Sequence, residues 1–320
     1  MDATERALFE QSLRRAVDTH SGPGLDAALA ELGWHEALAA EPATAISSLF
    51  ELQGAANAAS GALDDVLLDA LGTRGAAGVA VVLPELDDWD PPGDQSDDGG
   101  SLAVRGIGTA RLMEADTALV VATSGTGTIA AVVKSADLVR RSVAGLDPAL
   151  GLVAVAGTVR TAGDRLPADA WPEAVGRAQL ALGHELVGAT GAMVELARRH
   201  ALEREQFDRP IAAFQAVRHR LADTLVAMEG ARALLGAAWE ERTPRAAAMA
   251  KAMAGQAART AARHCQQVLA GMGFTTEHPL HRHVRRVLVL DELLGSSRTL
   301  TRSLGRELID SRTLPEPLPL

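Results

Sequence analysis

At 320 residues the chain can bury a sizeable core and hold two or three domains. Its net charge of −10 argues against a general nucleic-acid binder. A single cysteine, Cys265, excludes an internal disulfide and any multi-cysteine metal site, and fits a reducing cytoplasm. No apolar run of about 18 residues and no signal peptide is present, so neither a membrane span nor export is expected, and the chain reads as cytoplasmic. Hydrophobic residues reach 47%, yet aromatics are only 3%, because Ala and Gly supply much of the apolar content. That composition favours helices whose backbones approach closely.

Along the chain, residues 3–20 carry Leu8, Phe9, Leu13 and Val17 at helical spacing, and Gly22-Pro23-Gly24 ends the segment. Leu25–Leu32 reads as a second helix, and Thr44–Ala56 and Leu63–Leu71 as two more. The pattern then changes to short β-prone runs: Val79–Leu83, Leu102–Arg105, Ala118–Val121, Thr128–Val133 and Leu152–Ala156, separated by Gly, Asp or Ser. Between the first two lies an acidic stretch, residues 85–100, which reads as a solvated loop. A calcium loop is the sharper alternative, but the spaced aspartates and terminal glutamate it needs are missing. Gly125-Thr126-Gly127 reads as a hairpin turn. Helical spacing returns over Pro172–Arg204, Phe214–Arg242 and Arg245–Met272, and Pro279–Asp310 is expected to contain a fourth helix. The expected architecture is α+β: a helical region 1–73, a β domain 74–166, an antiparallel four-helix bundle 167–312 and a tail 313–320.

The most informative stretch is Arg204-Glu205-Gln206-Phe207-Asp208, followed by Phe214-Gln215. It reads as a helix end, a short turn at Asp208–Pro210 and a new helix whose apolar face carries Phe214, Val217, Leu221, Leu225, Met228 and Leu235. Arginines, amides and an aromatic ring at such a corner suit a phosphate-bearing ligand, although Arg204 could equally form a surface ion pair with Glu203 or Glu205. This stretch resembles the Arg-x-x-Phe-Gly turn of the acyl-CoA dehydrogenases, with Asp208 in place of glycine. A second block, Gln267-Val268-Leu269-Ala270-Gly271-Met272-Gly273-Phe274 followed by Arg285-Arg286, is similar to that family's Gln-x-x-Gly-Gly-x-Gly-Phe segment. The resemblance implies that Arg204, Gln206, Phe207 and Gln215, with Gln267 and Gly271, contact the ADP portion of an FAD held mainly by a neighbouring subunit. Read by itself, Gly271 could simply close a helix.

The resemblance also marks what is missing. The family's reaction takes the α proton of an acyl thioester with a carboxylate while the flavin accepts the β hydride. Its two base positions fall here on Leu294 and Ala178, and neither can accept a proton. Glu292 and Glu185 are the nearest carboxylates. No Thr-Glu-Pro…Gly-Ser-Asp flavin loop lies between Leu83 and Thr123, and the helical region before residue 73 is shorter than in full-length members. This pattern resembles the smaller chain of heteromeric (α2β2) acyl-CoA dehydrogenases of steroid side-chain breakdown. It implies a larger partner subunit carrying the base, an acyl-CoA substrate, FAD as cofactor and no catalytic residue in this chain. A homo-oligomer with its base relocated to Glu292 or Glu185, and a helical scaffold that has lost FAD, are the alternatives. His278, His281 and His283 are not expected to bind metal, since His281 and His283 point apart on a helix and no metal-binding His-Glu pattern occurs. Arg282, Arg285 and Arg286 are expected at a subunit contact or beside acidic neighbours.

Overall fold

A computed structural model of the chain describes residues 3–73, 78–125, 127–160, 163–167 and 169–312; the expected tail at 313–320 lies outside them. Five helices come first: α1 (Ala3–Thr19), α2 (Pro23–Glu31), α3 (Trp34–Ala40), α4 (Pro42–Ala56) and α5 (Ala62–Ala70). Pro23 and Pro42 occupy first turns, where a missing N–H costs nothing, so α2 and α4 begin before the expected Leu25 and Thr44. Helix α3 escaped the sequence reading because seven residues hold too few apolar positions to show a period; Trp34 and Leu38 bury it.

The middle of the chain forms an eight-stranded sheet. Its elements are β1 (Ala80–Val81), β2 (Gly93–Gln95), β3 (Ser101–Gly108), the short helix α6 (Arg111–Glu114), β4 (Thr117–Ser124), β5 (Gly127–Lys134), β6 (Val139–Ser142), β7 (Val153–Arg160) and β8 (Asp164–Arg165). The order is β6-β7-β3-β2-β4-β5-β8, with β1 also beside β4. Pairing is antiparallel except for β1 and β2, which run parallel to β4. Strands β4 and β5 pair down to Ser124 and Gly127, as a hairpin at Gly125-Thr126-Gly127 requires, although Thr126 itself is not described. The acidic stretch is not one solvated loop: β2 arises within it, with Gly93 packed against Ala122 and Val120 so closely that only glycine fits. One face of the sheet (Val81, Leu83, Ile107, Leu119, Val121) joins the main core, to which the long helices of both ends of the chain contribute. The other (Val82, Leu102, Val104, Val120, Ile129, Val153) forms a smaller core of its own.

The remainder is helical: α7 (Ala170–Glu203), a two-stranded hairpin of β9 (Glu205–Gln206) and β10 (Arg209–Pro210), α8 (Gln215–Glu241), α9 (Pro244–Leu269), α10 (Leu280–Glu292) and α11 (Ser297–Ser311). The segment expected to contain one last helix therefore holds two. The break follows from Leu294 at φ 54° and Gly295 at φ 92°, left-handed values that no helix continues through. The side chain of Ser296 then caps α11 by accepting from the Thr299 N–H. Close helix contacts rest on small residues. A Cβ on Gly54 of α4 would overlap the Glu185 carbonyl of α7, and one on Gly188 of α7 would overlap the Glu51 carbonyl of α4. Helix α9 buries a row of alanines, including Ala250, Ala254, Ala257, Ala258 and Ala261. Among the described residues no helix is long and apolar enough to cross a membrane.

Candidate functional site

Helices α7, α8 and α9 alternate in direction, so the end of α7, the β9–β10 hairpin, the start of α8 and the end of α9 share one end of the bundle. Two observations join them there: Thr224 of α8 lies 2.9 Å from His264 of α9, and His278 beyond α9 faces His200 of α7. Burial lowers the His278 imidazole below its usual range, and His200 and Arg199 nearby lower it further.

All six residues named for the nucleotide, Arg204, Gln206, Phe207, Gln215, Gln267 and Gly271, are exposed on this end. The turn falls at Phe207 and Asp208 rather than at Asp208–Pro210. Both adopt left-handed backbone, at φ 54° and 58°, which two-residue hairpins demand. Aspartate tolerates that region; an aromatic residue there is strained. The strained Phe207 is also 85% exposed. Its ring meets Phe214 edge-on, with centroids 6.1 Å apart, and the Arg209 guanidinium lies 4.3 Å from the centre of the Phe214 ring. Arg204 makes no side-chain hydrogen bond or ion pair with any described residue, so its fork is open to an anion. The ion pair with Glu203 or Glu205 that its sequence neighbours allowed is therefore not formed among the described residues. Gln206 turns its amide back onto the Glu205 carbonyl at 2.7 Å. A Cβ on Gly271 would meet nothing within 4 Å, so that backbone is open to a ligand.

The two expected base positions meet in the core. Ala178 and Leu294 belong to one buried cluster, and the amide of Gln179 donates to the Leu294 carbonyl at 2.9 Å. The acidic stretch closes over this point. The Asp87 carboxylate accepts from the Ser296 N–H at 2.8 Å and the Thr299 hydroxyl at 2.8 Å, and the indole of Trp89 fills the space a Cβ on Gly295 would need. Glu292 is one-third exposed and accepts from Arg259 at 2.7 Å. Glu185 is fully buried, takes a hydrogen bond from Gln53 at 3.1 Å, and is pushed up to about 7 by burial, with Arg286 pulling against it.

Sequence reasoning offered a subunit contact or acidic neighbours for Arg286 and missed that it is wholly buried, donating to Asp147 at 2.5 Å and to the carbonyls of Ala58 and Asn57. Arg282 and Arg285 stay at least partly exposed. It missed Lys251 altogether. The Lys251 ammonium is buried and donates to the carbonyls of Asp291 (3.0 Å) and Gly295 (2.5 Å), bridging the α10–α11 break. The available signal was a lone cation at helical spacing among Ala247, Ala254 and Ala258.

A family model described as "Acyl-CoA dehydrogenase, C-terminal domain" matches residues 173–309. These residues, under half of the chain, are thus similar to the C-terminal domain of the acyl-CoA dehydrogenases. The acyl-CoA dehydrogenase IpdE2 of Mycobacterium tuberculosis is 37% identical over 134 residues, 42% of this chain and 42% of that protein, so the chain matches under half the length of this relative. The short-chain specific acyl-CoA dehydrogenase of Bos taurus mitochondria is 32% identical over 37% of this chain and 30% of its own. Among solved structures, a Tcur3481–Tcur3483 steroid ACAD variant superposes with a TM-score of 0.80 at 22% identity, covering 97% of this chain and 99% of that one. The ChsE4–ChsE5 complex from Mycobacterium tuberculosis gives 0.73 at 23%, covering 97% and 89%. The whole described architecture is thus an acyl-CoA dehydrogenase fold, α+β with a C-terminal helical bundle. Within it, this acyl-CoA dehydrogenase-like chain carries exposed arginine, amide and aromatic groups at one end and apolar, buried side chains at the two positions expected for a base.

Proposed function

We propose that this chain is a subunit of a heteromeric, FAD-dependent acyl-CoA dehydrogenase that oxidises the Cα–Cβ bond of an acyl-CoA thioester. Its exposed bundle end offers the adenosine and pyrophosphate half of the FAD site to a larger partner chain in an α2β2 assembly, and the partner supplies the catalytic glutamate. FAD, when bound, supplies the hydride acceptor for that step. The residues present fit half of the group. Arg204 offers a planar fork for a pyrophosphate, Gln215 and Gln267 offer amides, Phe207 offers an aromatic face, and Gly271 lets the backbone approach. The core beneath offers nothing to the reactive end, since Ala178 and Leu294 carry no proton acceptor. A steroid CoA ester as substrate and a two-chain assembly draw support from the descriptions of the structures that share this fold, one a steroid ACAD and one a complex of two proteins.

The observation that carries this reading is a contrast. The chain holds Phe207 in strained backbone and exposes it beside Arg204, which pairs with no described side chain, while it seals the place where a base would act. A homo-oligomer with a relocated base has less support. Glu292 is engaged by Arg259, and the cavity beside Glu185, about 30 Å³, admits no acyl chain. A scaffold without FAD leaves the strained, exposed Phe207 without a role.

The test is co-expression with the acyl-CoA dehydrogenase chain that co-purifies with it. The expected complex is yellow and active, and the lone chain is neither. Arg204→Ala should leave the melting temperature of the lone chain unchanged and weaken FAD retention by the complex by about 1.5–3 kcal/mol, roughly ten- to a hundred-fold. A lone chain that binds FAD stoichiometrically and turns over, or an Arg204→Ala complex with unaltered FAD affinity, overturns the proposal.

A further inference from the structure

Four parts of the chain meet at Arg286: helix α10 that bears it, the turn after α4, the Asp147 loop that follows β6, and Glu185 of α7. Two carboxylates share this one guanidinium. Asp147 takes the direct hydrogen bond from Nε. Glu185 Oε1 stands 3.5 Å from Nη1 but receives no hydrogen bond, because Nη1 is directed at the Ala58 carbonyl. With both carboxylates ionised, the buried cluster would carry an uncompensated negative charge, which is costly away from water. Asp147 holds the stronger contact, so Glu185 is the one to take up a proton.

A protonated carboxyl is a donor and needs an acceptor. Glu185 Oε2 already accepts from Gln53, while the buried Oε1 has no hydrogen-bond partner. Both atoms belong to a residue lining a cavity of about 30 Å³, whose other polar walls are Gln53, Ser60 and Thr109. That volume holds a single water. The hydroxyl hydrogens of the walls are already committed: Ser60 donates to Gln53 Oε1 at 2.6 Å, and Thr109 donates to Asp64 at 2.6 Å. The two hydroxyl oxygens therefore offer the cavity lone pairs and no hydrogen.

We propose that this cavity is a one-water site in which Glu185, held as the neutral acid, donates to a buried water that donates in turn to Ser60 and Thr109. The water then makes three hydrogen bonds, the number typical of buried waters, and every partner is used in the sense it can supply. With Glu185 ionised, the water faces three acceptors, and the second hydrogen of the Gln53 amide is the one donor left among the polar walls. The other ionisable groups facing the site agree. Burial pushes the His283 imidazole of α10 down to about 4, so it adds no cation, and Asp64 of α5, behind Thr109, is pushed up to about 6 by burial. Arg286 and Asp147 balance each other, and α4 contributes only the neutral Gln53 at this point. Burial of Glu185 points the same way, up to about 7 from the ordinary 4.5. The folded state then binds a proton that the unfolded state has released, so stability present below the unfolded value is lost as pH rises through the folded one.

The test uses the full chain, with its partner if the complex is needed for solubility, and compares it with Glu185→Gln, which keeps shape and a donor. Three results are expected. A high-resolution crystal structure at about pH 6 shows one water within hydrogen-bond distance of Glu185 Oε1. Infrared spectra show the carbonyl stretch of a buried protonated carboxyl that disappears in the variant. The folding equilibrium constant of the unaltered chain relative to that of the variant falls by up to about tenfold per pH unit between about pH 5 and 7, a ratio in which the titrations of Asp64 and His283 cancel. A dry cavity, no protonated-carboxyl band, or a Glu185→Gln chain that fails to fold at pH 6 overturns the proposal. The last result would mean that Arg286 needs Glu185 as an ionised partner.

Discussion

Replacing Lys251 with methionine removes one charge from a place the fold seals completely. The ammonium has no exposed surface, and its hydrogens go to the carbonyls of Asp291 and Gly295 at the α10–α11 break. Burial pushes it down to about 8 from an ordinary 10.5, with Asp291 and Glu292 pulling the other way. Between those two values the unfolded chain still holds the proton that the folded chain has released, so stability must rise with pH across that window. The slope is at most about 1.4 kcal/mol per pH unit, and the total about 3 kcal/mol. The chain suits this measurement. It has no tyrosine, but burial pushes Cys265 up to about 12 from an ordinary 9.0, which by itself lowers stability as pH rises above about 9, so the measurement is made in a Cys265→Ala background. Urea unfolding at intervals between about pH 7 and 10.5 reads the slope, and lysine-labelled NMR reads the Lys251 titration directly. Lys251→Met should lower stability at neutral pH by about 2–3 kcal/mol, because two buried carbonyls lose a charged donor, and should abolish the slope. A flat or falling stability over this window, or a Lys251 signal titrating at its ordinary 10.5, refutes the reasoning.

Gly188→Ala should destabilise the chain by about 2–3 kcal/mol or more in urea unfolding, since the new methyl overlaps the Glu51 carbonyl and α4 must move. Gly236→Ala, on α8 with nothing within 4 Å, should instead stabilise by up to about 1 kcal/mol; equal effects at both positions would contradict the close α4–α7 contact. The Trp239 indole can only donate, and it donates to His184 Nε2 at 3.1 Å, which leaves the hydrogen of His184 on Nδ1, 3.0 Å from Glu51. Trp239→Phe should therefore cost about 1–3 kcal/mol by stranding a buried imidazole nitrogen, and an unchanged urea midpoint would show that the bond is not made.

Local patterning carried most of the architecture. Helical spacing located α1, α7, α8 and α9 to within a few residues, and alternating apolar runs located β3, β4, β5 and β7. Strands β2, β6 and β8 escaped because Gly-Asp-Gln, Val-Arg-Arg-Ser and Asp-Arg have no apolar run; they are strands only because a neighbour pairs with them. The α10–α11 break hides inside a continuous helical period, because one positive-φ leucine does not disturb spacing. The acidic stretch looked solvated by composition, yet Asp87 reaches across 212 residues to Thr299 and helps to cover the Leu294 position.

The sequence alone determined the kind and order of the long helices and the apolar strands, the identity of the side chains in the Arg204 and Gln267 blocks, and the lack of a proton acceptor at positions 178 and 294. These depend on residue type and short-range spacing. Which charges are buried was decided only by tertiary structure. Glu185 meets Gln53 across 132 residues and Arg286 meets Asp147 across 139. A glutamate or arginine has the same local propensity whether it ends in water or in a core. Its ionisation is set by the neighbours that folding brings to it, and no window along the chain contains them.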